Sequence, residues 1–149
     1  MLMALKALPL LLWVSNKNSI KRAFVTICMD FEKLCDQVFA LNDGIRYAGI
    51  IDDAGVLVAG GMREGINSIV SETDEELFLT QTALRKSMRE RFDSSMGRAR
   101  FAYVERERIS VLTFYMNERI LLVTLEPNIE SHTAMDIADD ALEMINGKS

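Results

Sequence analysis

The chain has 149 residues, 49% of them apolar and 26% charged, with 8 Gly, 2 Pro and a net charge of −5. That composition excludes a disordered or collagen-like chain, and the length is enough for one domain to bury a core without staples. An acidic body repels phosphate, which argues against nucleic acid as a partner, and two cysteines cannot frame a disulfide scaffold, which points to a reducing, cytoplasmic setting.

Charge and hydropathy divide the chain near residue 28. Residues 1–28 hold Lys6, Lys17, Lys21 and Arg22 and no acid, whereas all 22 acids follow. Leu2–Val14 is apolar but short and interrupted by Lys6 and Pro9, where a bilayer span needs about 20 residues. Three readings of this extension stand side by side. Met29 is the natural start; or the segment is an interfacial anchor or packed extra helix, its basic residues drawn to an anionic membrane surface; or it is a cleaved signal, although no Ala-x-Ala site follows. The expected organisation is an N-terminal extension over 1–28 and one domain over 29–149, with a membrane as partner only through the extension.

In the body, Asp30 is placed to cap a helix over about 30–41 whose apolar stripe is Phe31, Leu34, Cys35, Val38 and Phe39, ended by Asn42 and Gly44. Ile45–Ile51 and Gly55–Ala59 read as a hairpin around Asp52-Asp53-Ala54-Gly55, followed by a loop over 60–72. Three glycines in that loop let the backbone approach another molecule closely, so Gly60, Gly61, Arg63, Glu64 and Gly65 are candidate partner-binding residues. Thr73 with Glu76 matches a capping box and opens one long helix over about 73–94, on which Leu77, Gln81, Leu84, Met88 and Phe92 share a face. Arg98–Glu105, Ile109–Met116 and Arg119–Leu125 read as a three-stranded meander, and Ser131 is placed to cap a last helix.

The resulting order is α-β-β-α-β-β-β-α, an α+β fold with a single five-stranded antiparallel sheet. Its strands are nearly continuous apolar runs, which implies helices on both faces.

Chemistry-bearing patterns are scarce. The single histidine, His132, reads as an exposed helix-start residue, Cys35 as a buried small hydrophobe, and Asp52-Asp53 and Asp139-Asp140 as a turn and a solvated face. Gly60 and Gly65 have the outer spacing of a phosphate loop, but Ile66-Asn67 stand where Lys-Ser/Thr is required. The basic cluster Arg85, Lys86, Arg89 and Arg91, continued by Arg98 and Arg100, suits the negative end of the long helix or an acidic or self-associating partner. No catalytic, cofactor or metal residue is expected, and neither enzymatic activity nor a cofactor.

The element order and the hairpin Gly49-Ile50-Ile51-Asp52-Asp53-Ala54-Gly55-Val56-Leu57-Val58 resemble the roadblock/dynein light-chain family, within the longin- and profilin-like group, over about 30–146. A closer likeness is to a family of small uncharacterised archaeal proteins, notably from ammonia-oxidising lineages. It is carried by Tyr47-Ala48-Gly49-Ile50-Ile51, Ala59-Gly60-Gly61, Glu64-Gly65, Ser87-Met88-Arg89, Phe92-Asp93 and Gly97. The roadblock resemblance implies a non-enzymatic protein that forms homo- or heterodimers and serves small GTPases or motor complexes as a platform or regulator. It also implies a dimer pairing the long helix with its copy and joining the two third strands edge to edge. Carried onto this chain, the interface is Leu77, Gln81, Leu84, Met88, Phe92, Arg100, Phe101 and Tyr103, and the partners are a second copy and a small GTPase. A different class is also open: a small-molecule sensor of the PAS or GAF type shares the strand order, though it would break the crossover into short helices around a cavity.

Overall fold

The computed structural model describes residues 30–147. The sequence readings of the 1–28 extension and of Met29 as a start lie outside them.

Helix α1 covers Phe31–Phe39 and buries Leu34, Cys35 and Val38, while Glu32, Lys33, Asp36 and Gln37 face water. Strand β1 (Ile45–Asp52) leads through the Asp52–Gly55 turn into β2 (Leu57–Met62). The turn is closed by Asp52, whose Oδ1 accepts from the amides of Ala54 and Val56 at 2.9 and 3.0 Å. These amide bonds, that of Val56 foremost, hold the Asp52 carboxyl below its ordinary pKa. Helix α2 (Glu72–Glu90) crosses back, and a single helical turn, α3 (Asp93–Met96), precedes β3 (Phe101–Glu105), β4 (Ser110–Tyr115) and β5 (Arg119–Leu125). Helix α4 (Ser131–Ile145) ends the described chain.

All five strands form one antiparallel sheet in the order β2-β1-β5-β4-β3, with β2 and β3 at its edges. One face carries Tyr47, Ile51, Val111, Ile120 and Leu122, which pack with Leu79 and Ala83 of α2. On the other face lie Ala48, Leu112, Phe114, Leu121 and Val123, all fully buried. Helix α1 packs over β1 and β2 and against α4, whose Ala134, Ile137, Ala138, Ala141 and Leu142 are buried. Apolar runs in β1, β4 and β5 therefore reflect two covered faces, as their sequence pattern requires.

Several boundaries differ from the sequence reading. Strand β2 begins two residues later than expected and continues through Gly60, Gly61 and Met62, which pair with Gly49, Ala48 and Tyr47. Gly60 and Gly61 are thus strand residues, not loop residues. The cap of α2 is Ser71, whose Oγ accepts from the Asp74 amide at 3.1 Å, rather than Thr73. Both residues can cap, but the earlier one adds half a turn and keeps Glu72, Asp74 and Glu75 at the positive helix end. The long helix stops at Glu90 instead of 94, strand β3 starts at Phe101 instead of Arg98, and the last helix is capped from Glu130 with no side-chain bond, not by Ser131.

Gly60 shows why this position takes glycine. Its φ is +77°, and a Cβ there would stand 2.1 Å from the Ala48 carbonyl oxygen and 2.7 Å from the Cys35 sulfur. The backbone of β2 is pressed against β1 and α1 at this point. Gly60→Ala is expected to destabilise the domain by about 2 kcal/mol or more, read as a lower urea midpoint. Gly65→Ala, with open space around its Cβ position, is expected to cost less, about 1 kcal/mol.

Candidate functional site

Helix α2 turns three large apolar side chains away from the protein. Leu79, Thr82, Ala83 and Lys86 face the sheet, whereas Leu77, Leu84 and Met88 are 65%, 59% and 59% exposed. At 3.6 residues per turn the exposed set lies on the far side of the helix from the buried set. Gln81 is exposed on the same stripe, and Phe92 and Met96 just beyond the helix extend the row of exposed apolar groups. A contiguous apolar surface of this kind marks an interaction site more often than chance exposure.

What fixes the helix in this rotation lies at its middle. Gly55 approaches so closely that a Cβ would stand 2.8 Å from the Thr80 Cα. Further along the helix, the largely buried Lys86 ammonium donates to Asp53 Oδ1 at 3.0 Å and to Glu90 Oε1. Burial works against this charge, but the hydrogen bonds and charges of Glu90 and Asp53 outweigh it and hold the Lys86 pKa above its ordinary value. At the helix end the Arg89 guanidinium donates to the Tyr115 hydroxyl at 2.7 Å and lies over its ring.

These bonds divide the basic cluster into engaged and exposed members. Lys86, Arg89 and Arg98 are engaged within the chain, Arg98 with Asn117 Oδ1 at 2.7 Å, while Arg85, Arg91 and Arg100 are exposed.

Strand β3 pairs only with β4 among the described residues, so its outer edge has no strand beside it. Phe101 and Tyr103 are half-buried and stand opposite Phe114 and Leu112, on the face away from α2; the Phe101 and Phe114 rings stack at 5.9 Å. Val104, opposite Val111, lies on the α2 face and is 40% exposed. Of the residues expected to share one interface, Phe101 and Tyr103 therefore point to the opposite face of the sheet from the helix stripe.

The five residues singled out as a partner loop do not form one. Gly60 and Gly61 belong to β2. The Arg63 guanidinium donates to the carbonyl oxygens of Ile45, Phe39 and Asn42 at 2.7 to 2.9 Å and lies over the Phe39 ring, clamping the end of α1 to β1. Glu64 and Gly65 are exposed, in a turn. The place of Arg63 among glycines suggested a partner-binding arginine, and no sequence signal marked three carbonyls converging on it.

His132 is exposed, with Nδ1 3.2 Å from Glu130. Cys35 is buried and its thiol is pushed up to about 11, first by burial and then by Glu32 and Asp36. Among the described residues no group of three or more His, Cys, Asp or Glu is placed to hold a metal ion, and no helix is long and apolar enough to cross a membrane. Sequence reasoning missed one feature, a half-open cavity of about 620 Å³ between the first half of α2, the 68–70 segment and the β3–β4 turn.

Residues 25–143 match a family of unknown function, DUF6659. The chain belongs to this family. No curated protein matches it. Among solved structures, the Roadblock/LC7 domain from Streptomyces avermitilis superposes with a TM-score of 0.56 at 9% identity, covering 80% of this chain and 97% of that one. The gliding protein MglB from Thermus thermophilus gives 0.59 at 15% identity, covering 78% and 88%. An MglB solved in a tetrameric arrangement gives 0.61 at 13%, covering 78% and 85%. This DUF6659 chain thus has a roadblock-like fold, in agreement with the resemblance drawn from its element order.

The anchoring of α2 and the buried thiol and phenol give the domain an alkaline limit. Tyr47 is pushed up to about 12 by burial, and Cys35 and Lys86 are also raised. Each binds its proton more tightly in the native state than in the unfolded chain. The stability that Cys35 and Tyr47 lend is therefore complete below about pH 9 and is lost as pH rises through their native values of about 11 and about 12. Urea midpoints are expected to fall steeply above pH 9. At neutral pH, Lys86→Met is expected to change stability by less than about 1 kcal/mol, while the Asp53→Ala, Glu90→Ala pair costs about 1–2 kcal/mol by stranding the ammonium.

Proposed function

We propose that this protein is a non-catalytic, dimerising scaffold that acts as a small-GTPase regulator of the roadblock type, with a second copy of the chain as its first partner. The observation carrying this reading is the apolar stripe Leu77, Leu84, Met88 and Phe92, turned outward on a helix whose rotation is locked by Gly55 and Lys86. A twofold axis beside α2 would lay the stripe against its copy, burying the groups that otherwise cost most in water. The open β3 edge can pair with its own copy in the same operation, since an unblunted edge strand invites such pairing. Phe101 and Tyr103 would then flank the seam from the far side of the sheet, with the exposed Arg100 just before the strand. The tetrameric arrangement of one MglB relative is consistent with a fold that assembles through exposed elements. Of the partner-loop residues, Glu64 and Gly65 remain available to a GTPase.

The sensor reading is less well supported. A PAS or GAF sensor would break the crossover into short helices, and α2 is continuous over Glu72–Glu90.

Light scattering of the full chain at micromolar concentration is expected to give twice the chain mass. Leu84→Glu with Met88→Glu, both at exposed sites, should yield a folded monomer with an unchanged far-ultraviolet circular dichroism spectrum. A dimer of this type should bury at least about 1,200 Å² in total, and a wild-type monomer would refute the scaffold.

A further inference from the structure

The half-open cavity beside the first half of α2 lies directly on the core. Its floor is Tyr47, Leu79, Val111 and Leu122, each less than a tenth exposed, with Phe78 and Met62 packed against them. At its mouth Ile69 and Val70 are 53% and 46% exposed, although both belong to its lining. Ile109 of the β3–β4 turn closes the opposite wall. A folded domain gains by collapsing such a space or by filling it, because apolar walls without neighbours forfeit dispersion and leave hydrocarbon in water. Here collapse is opposed by the same contacts that lock α2, since Gly55 and the Lys86 bridge hold the helix at its distance from the sheet. The volume of about 620 Å³ lies within the range of small-molecule pockets.

The charges around the space decide what kind of molecule fits. Arg46 reaches it from β1, but its guanidinium is spent on Glu126 at 2.7 Å and on the Asn67 carbonyl at 2.9 Å. The turn at the mouth alternates in sign, Glu105, Arg106, Glu107 and Arg108. Glu75 on the helix adds one acid. Arg106 and Arg108 are exposed at the rim, each next to an acid in sequence, and the buried floor itself carries no charge to bind a carboxylate or phosphate, while a cation would have to shed its water against hydrocarbon walls. The Tyr47 phenol, which has no hydrogen-bond partner among the described residues, stays neutral because burial raises it to about 12.

We propose that this cavity is a binding site for a neutral, mainly hydrocarbon small molecule. The site is separate from the scaffold reading. It uses the sheet-facing side of α2, whereas the dimer stripe is on the outward side of the same helix.

The test is titration of the full chain with N-phenyl-1-naphthylamine, an uncharged dye that brightens when it leaves water. Saturable binding at one dye per chain is expected. Ser68→Trp, which projects a large ring from an exposed position on the rim, should weaken it by about tenfold or more, and Ile109→Trp should do the same from the opposite wall. Because Ser68 is exposed, its variant stays folded even if Ile109→Trp does not. The Leu84→Glu change lies across the helix and should leave dye binding intact while abolishing dimerisation. Absence of saturable binding, full affinity in Ser68→Trp, or loss of the dye in Leu84→Glu would each overturn the proposal. A wild-type monomer that binds the dye in the expected pattern would sink the scaffold and keep the cavity site.

Discussion

The rotation of one helix decides what this domain can do. Helix α2 is held against the sheet by Leu79 and Phe78 in its first half and by small or polar residues, Thr82, Ala83 and Lys86, in its second. The hairpin turn sets that rotation in two ways. Gly55 admits the helix backbone to within contact, and Asp53 takes the Lys86 ammonium. An ion pair with a buried partner adds little net stability, because desolvation offsets most of its attraction. It does, however, specify geometry, since any other rotation would strand a charge in the core. The consequence is that Leu77, Leu84 and Met88 have nowhere to go but outward.

That placement gives a single element two surfaces with different uses. The outward side of α2 offers an apolar stripe of the sort that proteins cover with a partner. Its inward side leaves a cavity where the helix, held at a fixed distance, fails to close on Tyr47, Val111 and Leu122. The sheet adds its own demand. The order β2-β1-β5-β4-β3 puts β3 on a border with no strand beside it among the described residues, a few positions along the chain from the exposed Phe92 and Met96. An open edge and an apolar stripe can be satisfied together by one twofold operation.

The corrections to the sequence reading share a physical origin. Gly60, Gly61 and Gly65 look alike in sequence, and glycine clusters are a reasonable signature of a binding loop. In the structure Gly60 is a close-packing position under α1, Gly61 continues a strand, and Gly65 sits in a turn with open space around it. Arg63 and Lys86 look like surface charges by composition, yet three carbonyls claim the first and two carboxylates the second. Long-range partners do not show in a linear pattern, because most of the residues that complete each site lie dozens of positions away.

Local chemistry and periodicity by themselves determined the order of the main helices and strands, the double-sided burial of β1, β4 and β5, and the stripe of Leu77, Leu84, Met88 and Phe92 along α2's stretch of sequence. These depend on interactions within a few residues, on hydrogen-bonded periods of 2 and 3.6 and on turn-forming side chains. Tertiary structure alone decided which of the α2 faces meets the sheet, which glycines bear contact and where a void persists. Those outcomes turn on distances between segments far apart in the chain, and such distances exist only once the backbone has closed upon itself.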